Sequence, residues 1–398
     1  MLTARTKTGK NICLGYDYKK ETLLHLRNKE EFLCPVCGEA VYLKLGDTRI
    51  YHFAHKSGRI CRDFYENESI THMEGKRQLF QWLKQQRIPS ELEYYDKEIQ
   101  QRPDIMFVYN RVKYALEFQC SSIPEKVFRK RTNTYLQNGY HPLWILGSNH
   151  PQQKKKDTVS LSNFHFFFLR KTTDGSYYIP TYSPEDRHFH ILGSIISYTV
   201  KNAFSEITLL PINKIPLDEL LTPKLLNQIN VDRWKLDLDH FLLHYTLHPS
   251  PQQFSFLHEL YNQNLNPYLL PPEIGLPVRH SFLLQTSPFI WQAYLYIDLL
   301  SKRCPEDRIS FQEIEQSFNR RVGRGNIIIR NFPQLSREKP FDAVMDYLFK
   351  LEKLGILARK EKTSFNLQKN IMIPSSNRER DEYTKTFFQK NHHILVKV

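Results

Sequence analysis

Residues 101–120, QRPDIMFVYNRVKYALEFQC, constrain this chain more than any other stretch. They read as two strands joined by a tight turn at Asn110 and Arg111. In the second strand Val112, Tyr114, Leu116, Phe118 and Cys120 alternate with Lys113, Ala115, Glu117 and Gln119. Side chains two apart share a face of a strand, so the first set makes an apolar face and Glu117 and Gln119 project together from the other. Asp104 opens the preceding strand, just after Arg102 and Pro103. Pairing the strands as a hairpin brings Asp104 near Glu117, and two carboxylates at the lip of a sheet can hold a divalent cation. The same residues also fit a surface Asp and a Glu paired with Lys113 or an arginine, because short motifs carry false positives.

The flanking segments extend the pattern. Residues 67–87 place Ile70, Met73, Leu79, Phe80 and Leu83 at helical spacing, with Ser69 or Asn67 as the cap. Glu68, His72 and Lys76 recur every fourth residue and share one stripe of that helix. Strands are expected at 91–96, 104–109 and 112–120. A basic helix follows from Pro124 to about residue 138, carrying Lys126, Arg129, Lys130 and Arg131, and then a strand at 141–146. This order of helix, three strands, helix and strand, with Pro103-Asp104 and Glu117-Phe118-Gln119, resembles the PD-(D/E)XK nucleases. The resemblance implies that Asp104 and Glu117 bind Mg²⁺ or Mn²⁺, with Glu68 as a further acidic group. It casts Gln119 as the group that positions water, and His72, Lys76, Arg129 and Arg131 as phosphate contacts. Gln119 stands where the commonest pattern has Lys. An amide hydrogen-bonds water but brings no charge, and Lys76 or Lys113 are the candidates to supply it.

A second constellation lies upstream. In FLCPVCGEAVYLKLGDTRIYHFAH, Cys34-x2-Cys37 is followed after fourteen residues by His52-x2-His55. Two thiolates from one turn and a second ligand pair close a tetrahedral Zn²⁺ site. Ala40–Lys44 and 49–53 form a hairpin between them, and the module resembles a zinc ribbon. Cys61 is a rival fourth ligand in place of either histidine. The alternative is a Cys-x2-Cys turn with histidines that only pack. A filled four-ligand site is structural, since it leaves no open position for chemistry.

Taken in order, Cys34-x2-Cys37, His52-Phe-Ala-His55, His72-x2-Gly75-Lys76, Arg102-Pro-Asp104, Glu117-Phe-Gln119-x-Ser121, Arg131-x3-Tyr135 and Trp144-Ile-Leu resemble the CoiA family of competence proteins. They span residues 30–150. The resemblance implies a nuclease-like domain that acts in natural transformation, where family members help incoming single-stranded DNA recombine.

Composition agrees with a polyanion as partner: the net charge is +14. No run of 18 apolar residues exists to span a membrane. The first residues lack the apolar core of a signal peptide, so a cytoplasmic location is expected. There the six cysteines serve as metal ligands or core, not as disulfides.

Residues 164–170 and 177–182 are expected to form a hairpin around Asp174-Gly175. From about 184 the pattern turns helical, at 189–203, 223–247, 252–263 and 289–301. The stretch LFKLEKLGILARKEKTSFNLQ looks like the end of a winged helix, a fold that contacts either DNA or protein. Arg320, Arg321, Arg324, Arg330, Lys350, Lys353, Arg359, Lys360 and Lys362 favour DNA there.

The expected fold is α/β: a PD-(D/E)XK restriction-endonuclease-like core, an N-terminal zinc-ribbon-like module and a mainly α-helical C-terminal region. The corresponding domains are 1–62, 63–183 and 184–398, with the winged-helix-like end at about 289–370. Two functions fit. One is metal-dependent cleavage of single-stranded or branched DNA during competence, promoting its recombination. The other is a mediator that cuts nothing and binds single-stranded DNA, a recombinase or other competence proteins.

Overall fold

The computed structural model describes the chain apart from residues 48, 56–60, 62–67, 148–150, 248–250, 336–337, 362 and 398. Asn67, offered above as a cap, and Lys362 lie outside the described residues. The chain opens with β1 (Thr3–Thr6), β2 (Asn11–Cys13), α1 (Lys20–Lys29), β3 (Phe32–Leu33), β4 (Ala40–Lys44) and β5 (His52–His55). The strands form an antiparallel sheet of order β2-β1-β3-β4-β5.

Next come α2 (Ile70–Gln85), β6 (Ser90–Leu92), β7 (Ile105–Tyr109), β8 (Val112–Gln119), α3 (Glu125–Gln137) and β9 (Tyr140–Leu146). This is the order expected from the sequence. The side chain of Ser69 caps α2 by accepting from the His72 N–H. Strands β6, β7 and β8 pair antiparallel, and β9 runs parallel to β8 with Glu117 opposite Trp144.

β8 is covered on both faces. Ala115, Leu116, Glu117 and Phe118 are all buried. Helix α2 meets the Phe118 side through Gly75, and α3 meets the Glu117 side through Arg131 and Tyr135. A Cβ on Gly75 would lie 2.0 Å from the Phe118 ring. Alanine in a helix is favoured over glycine by about 1 kcal/mol, but overpacking a core costs about 1–3 kcal/mol. The ring is fully enclosed, so the clash wins. Gly75→Ala is expected to destabilise the protein by about 2 kcal/mol, read from a denaturant melt; a stabilised variant would show that α2 does not sit this close to β8.

The chain continues through β10 (Gln152–Lys155), β11 (Thr158–Ser160), α4 (Asn163–Phe166), β12 (Arg170–Lys171), β13 (Tyr177–Ser183), β14 (His188–Ser197), β15 (Asn202–Pro211) and α5 (Leu217–Leu221). The hairpin around Asp174-Gly175 forms, β12 against β13, but two details differ from expectation. The segment 164–170 is the short helix α4 and a two-residue strand, not a long strand. The segment 189–203 is β14 and the start of β15, not a helix. Nearly all of β14 is buried, Ser194 and Ser197 included, so polar and apolar positions stop alternating after Ile191. Periodicity alone cannot tell such a stretch from a buried helix.

Two compact units share these elements: Met1–Pro151, Phe164–Leu192 and Ile207–Lys224 form one, and Gln152–Asn163, Gly193–Glu206 and Leu225–Val398 the other. In the first, the neighbours run β14-β13-β9-β8-β7-β6. The second continues with α6 (Val231–Leu247), α7 (Pro251–Asn262), α8 (Pro288–Leu295), β16 (Arg308–Ser310), α9 (Phe311–Gly323), α10 (Asp342–Lys353), β17 (Leu357–Glu361), β18 (Ser364–Leu367) and α11 (Asn377–Leu395). Its small sheet has the order β16-β18-β17.

Several basic residues counted toward DNA in this unit are internal. Arg321 is buried in ion pairs with Glu259 and Asp298. Lys350 donates to the carbonyls of Pro277 and Lys397, and Arg330 donates to that of Val200. Among the described residues no helix is long and apolar enough to cross a membrane.

Candidate functional site

The N-terminal part of the chain gathers three cysteines and a histidine. Cys34 follows β3 directly, and its carbonyl accepts from the Gly38 N–H at 3.0 Å, which closes the Cys34–Cys37 turn. Gly38 has φ +74°, the left-handed region that glycine adopts without strain. Cys34, Cys37, His55 and Cys61 bring their ligand atoms within 4.8 Å of one another. The Cys34 and Cys61 sulfurs are 4.0 Å apart, and Cys37 Sγ lies 3.3 Å from His55 Nε2. Thiolates around one tetrahedral Zn²⁺ stand about 3.8 Å apart, so this donor set fits zinc. Burial holds His55 below the usual histidine range, which favours the neutral ring a metal needs.

His52 is not in this cluster, and Cys61 takes the place expected for it. The His52 Nδ1 lies 2.9 Å from the Ile50 carbonyl. The reason is local. His52 and His55 both belong to β5, three residues apart, and residues an odd number apart point to opposite faces of a strand. Reading 52–55 as a strand would have excluded one histidine from the sequence alone.

The second cluster surrounds the hairpin of β7 and β8. Ile105 pairs with Leu116 in that antiparallel register, which sets Asp104 opposite Glu117. Asp104 Oδ2 accepts from the Phe118 N–H at 2.8 Å and lies 3.2 Å from His72 Nε2. Its Oδ1 is 3.6 Å from Lys76 Nζ. Burial opposes ionisation of Asp104, but His72 and Lys76 overcome it and hold the carboxyl well below the usual range.

Glu117 is held differently. It is buried and accepts from Arg131 and from the Tyr135 hydroxyl, both on α3. Burial pushes its carboxyl up to about 7; Arg131 opposes this and Asp104 adds to it.

Lys76, expected to touch phosphate, has no exposed surface. Its ammonium lies 2.6 Å from Glu68 and 2.6 Å from Glu93. His72 and Lys76 therefore do meet Asp104, whereas Glu68 precedes the cap of α2 and pairs with Lys76, so Lys76 faces carboxylates. Arg129 pairs with Glu125 on the outer side of α3. The Gln119 amide nitrogen donates to Ser121, at 2.9 Å to its carbonyl and 3.2 Å to its hydroxyl. Lys113 stands over the Tyr140 ring.

Glu93 went unnoticed in the sequence. The alternation of β6 has Ser90 and Leu92 inward and Glu91 outward, which predicts an outward Glu93. Its φ of +52° turns the side chain inward instead. There it accepts from the Leu2 and Thr3 N–H groups of the N-terminal module, and from Lys76. Burial opposes its charge, but Lys76 holds it at about 2.

Removing one member of a buried charge cluster leaves the others uncompensated and costs about 3–5 kcal/mol. Lys76→Met is expected to lose that much stability at neutral pH. The parent's gain from Glu93 is present above about 4.5, the ordinary value, and is lost as pH falls toward 2. The variant should instead gain stability on acidification toward pH 4, as the stranded carboxylates take up protons. Urea melts across that range check the sign; parallel curves would mean that Lys76 does not carry the cluster.

Three family models match successive parts of the chain. These are the Competence protein CoiA N-terminal domain over residues 15–64, its nuclease-like domain over 68–225 and its C-terminal domain over 229–380. The protein therefore contains a nuclease-like domain. The Competence protein CoiA of Bacillus subtilis (strain 168) is 33% identical over 344 residues, covering 85% of this chain and 90% of its own. The chain belongs to the competence protein CoiA family. No solved structure matches it.

Proposed function

We infer that the protein is a divalent-metal-dependent deoxyribonuclease of the PD-(D/E)XK type, acting on incoming DNA in competence and promoting its recombination. The observation that supports this reading is the register of β7 and β8, which sets Asp104, the residue before β7, opposite Glu117. Among the described residues no third carboxylate joins them as a ligand cage. Mg²⁺ does not need one, since it is commonly held by one or two carboxylates plus substrate phosphate. Asp104 and Glu117 would hold Mg²⁺ or Mn²⁺, which supplies polarisation of the scissile phosphate and a more acidic bound water.

The protein's own groups then have distinct tasks. Arg131 and Tyr135 orient Glu117. His72 and Lys76 keep Asp104 ionised, so Lys76 brings the charge that Gln119 lacks. With its amide nitrogen engaged by Ser121, Gln119 offers its carbonyl oxygen to a water proton. Glu68 acts through Lys76 as a positioning residue. Arg129, on the outer side of α3, is the phosphate contact. Zn²⁺ at Cys34, Cys37, His55 and Cys61 is structural.

One observation favours the second reading, a mediator that binds single-stranded DNA or a recombinase without cutting. Each site carboxylate already has a cationic partner: Lys76 for Glu68 and Glu93, His72 and Lys76 for Asp104, and Arg131 for Glu117. A cleavage assay on labelled single-stranded, duplex and branched DNA, with Mg²⁺ or Mn²⁺, separates the two. Metal-dependent product supports the nuclease. Binding without product under every metal condition supports the mediator.

A further inference from the structure

A cleft of about 460 Å³ is lined by Arg131, the residue that donates to Glu117. One wall is the turn of the zinc cluster, through Val36. The α3 residues Val127, Lys130, Arg131 and Thr134 also line the cleft, with Tyr95 and Arg102. The four α3 residues follow the i, i+3, i+4, i+7 spacing of one helical face. Among the described residues lining the cleft, Arg102, Lys130 and Arg131 are cationic and none is acidic. Arg131 links the cleft to the site, since it donates to Glu117 and lies 3.4 Å from the Arg102 carbonyl.

We propose that this cleft, lined by Val36 of the Cys34–Cys37 turn and by the basic face of α3, binds one unpaired nucleotide of a single DNA strand, with Arg131 shared between the nucleotide and Glu117. The volume is that of a small-molecule pocket. It has room for a splayed nucleotide but not for a duplex, whose major groove alone is about 12 Å wide. A cationic lining with one aromatic side chain, Tyr95, matches how single strands are held: charge along the backbone and a ring under a base. The zinc turn thereby shapes the substrate channel, beyond its part in folding. The proposal rests on the reading above that DNA is the substrate, but not on cleavage.

The test is fluorescence anisotropy with fluorescein-labelled oligo-dT and with a duplex of equal length, in EDTA at concentrations that leave the zinc content unchanged. Lys130→Glu, on an exposed position, should weaken oligo-dT binding by about tenfold. It should also flatten the logarithmic salt slope by about 0.7, the share of one phosphate on a single strand. Val36→Glu, which fills the cleft and adds a negative charge, should also weaken oligo-dT binding while keeping the parent's zinc content and melting curve. Duplex binding should change much less. Parental oligo-dT affinity in both variants, or equal weakening on both DNAs, would overturn the proposal. Its failure is distinct from that of the nuclease reading. Cleft-dependent binding by a parent that never cuts leaves the cleft standing, and cleavage indifferent to Lys130→Glu and Val36→Glu leaves the nuclease standing without it.

Discussion

Asp104→Asn should reduce metal-dependent DNA cleavage by about 10²–10³-fold, the scale of losing a group that stabilises developing charge. Asparagine keeps the shape of the side chain and can still accept from the Phe118 N–H, so the fold should survive. What disappears is the negative charge that His72 and Lys76 maintain. Glu117→Gln should be as severe, for the same reason on the facing strand. The pH profile adds a signature of its own. With the Glu117 carboxyl at about 7, metal binding needs a proton removed, so cleavage should rise about tenfold per unit below neutrality and level off above it. Stability runs the other way. A raised carboxyl contributes most below about 4.5, and that contribution is gone once the pH has risen through 7. Arg131→Met removes the charge that holds Glu117 down, so the rise in rate should move to higher pH. Parental cleavage in Asp104→Asn, with folding checked by circular dichroism, would remove this site from consideration.

Loss of zinc should have the largest effect on the fold. Cys34→Ser is expected to abolish one equivalent of bound zinc and to leave the N-terminal module sensitive to protease. The five strands of its sheet are short, none longer than five residues. Structural zinc contributes on the order of 10–16 kcal/mol in small modules, which matches or exceeds the entire stability of a typical domain. A module of this size cannot replace that by burial. Cys61→Ser should behave like Cys34→Ser, whereas His52→Ala should retain its zinc, because the imidazole points to the Ile50 carbonyl. Metal content by mass spectrometry, read beside limited proteolysis, decides the matter. A zinc-replete Cys34→Ser of unchanged protease resistance would mean that the cluster is not a metal site. The damage should also reach the second cluster, since Leu2 and Thr3 donate to Glu93.

What could be seen in the sequence was set by local rules. The hairpin at Asn110 and Arg111 appears where expected, with both residues at positive φ, and the order of elements from α2 to β9 followed from alternation and helical spacing. The Cys34–Cys37 turn with a nearby histidine gave the thiolate cluster. The misses have physical causes. Glu93 enters the site through a backbone twist that no alternation encodes. Lys76 looked like a phosphate ligand because charge says nothing about which charges a folded chain will gather around it. Arg321, Arg330 and Lys350 are basic in composition yet spend their donors inside the protein. β14 hid because a strand buried on both faces loses the polar beat that marks an exposed one.

The path of the chain bears on how this protein can be taken apart. It leaves the first unit after residue 192 and returns at 207, and what returns is needed there. The Trp82 indole donates to the Ile215 carbonyl at 2.9 Å, and the Gln86 side chain accepts from Leu217 N–H at 2.9 Å. The Tyr178 hydroxyl donates to the carbonyls of Leu220 and Leu221. A gene fragment stopped at 183, a natural place to cut by eye, would strand these partners inside the protein. No single restriction of the reading frame frees one unit from the other, so genetic dissection calls for circularly permuted or point-substituted chains in place of truncations.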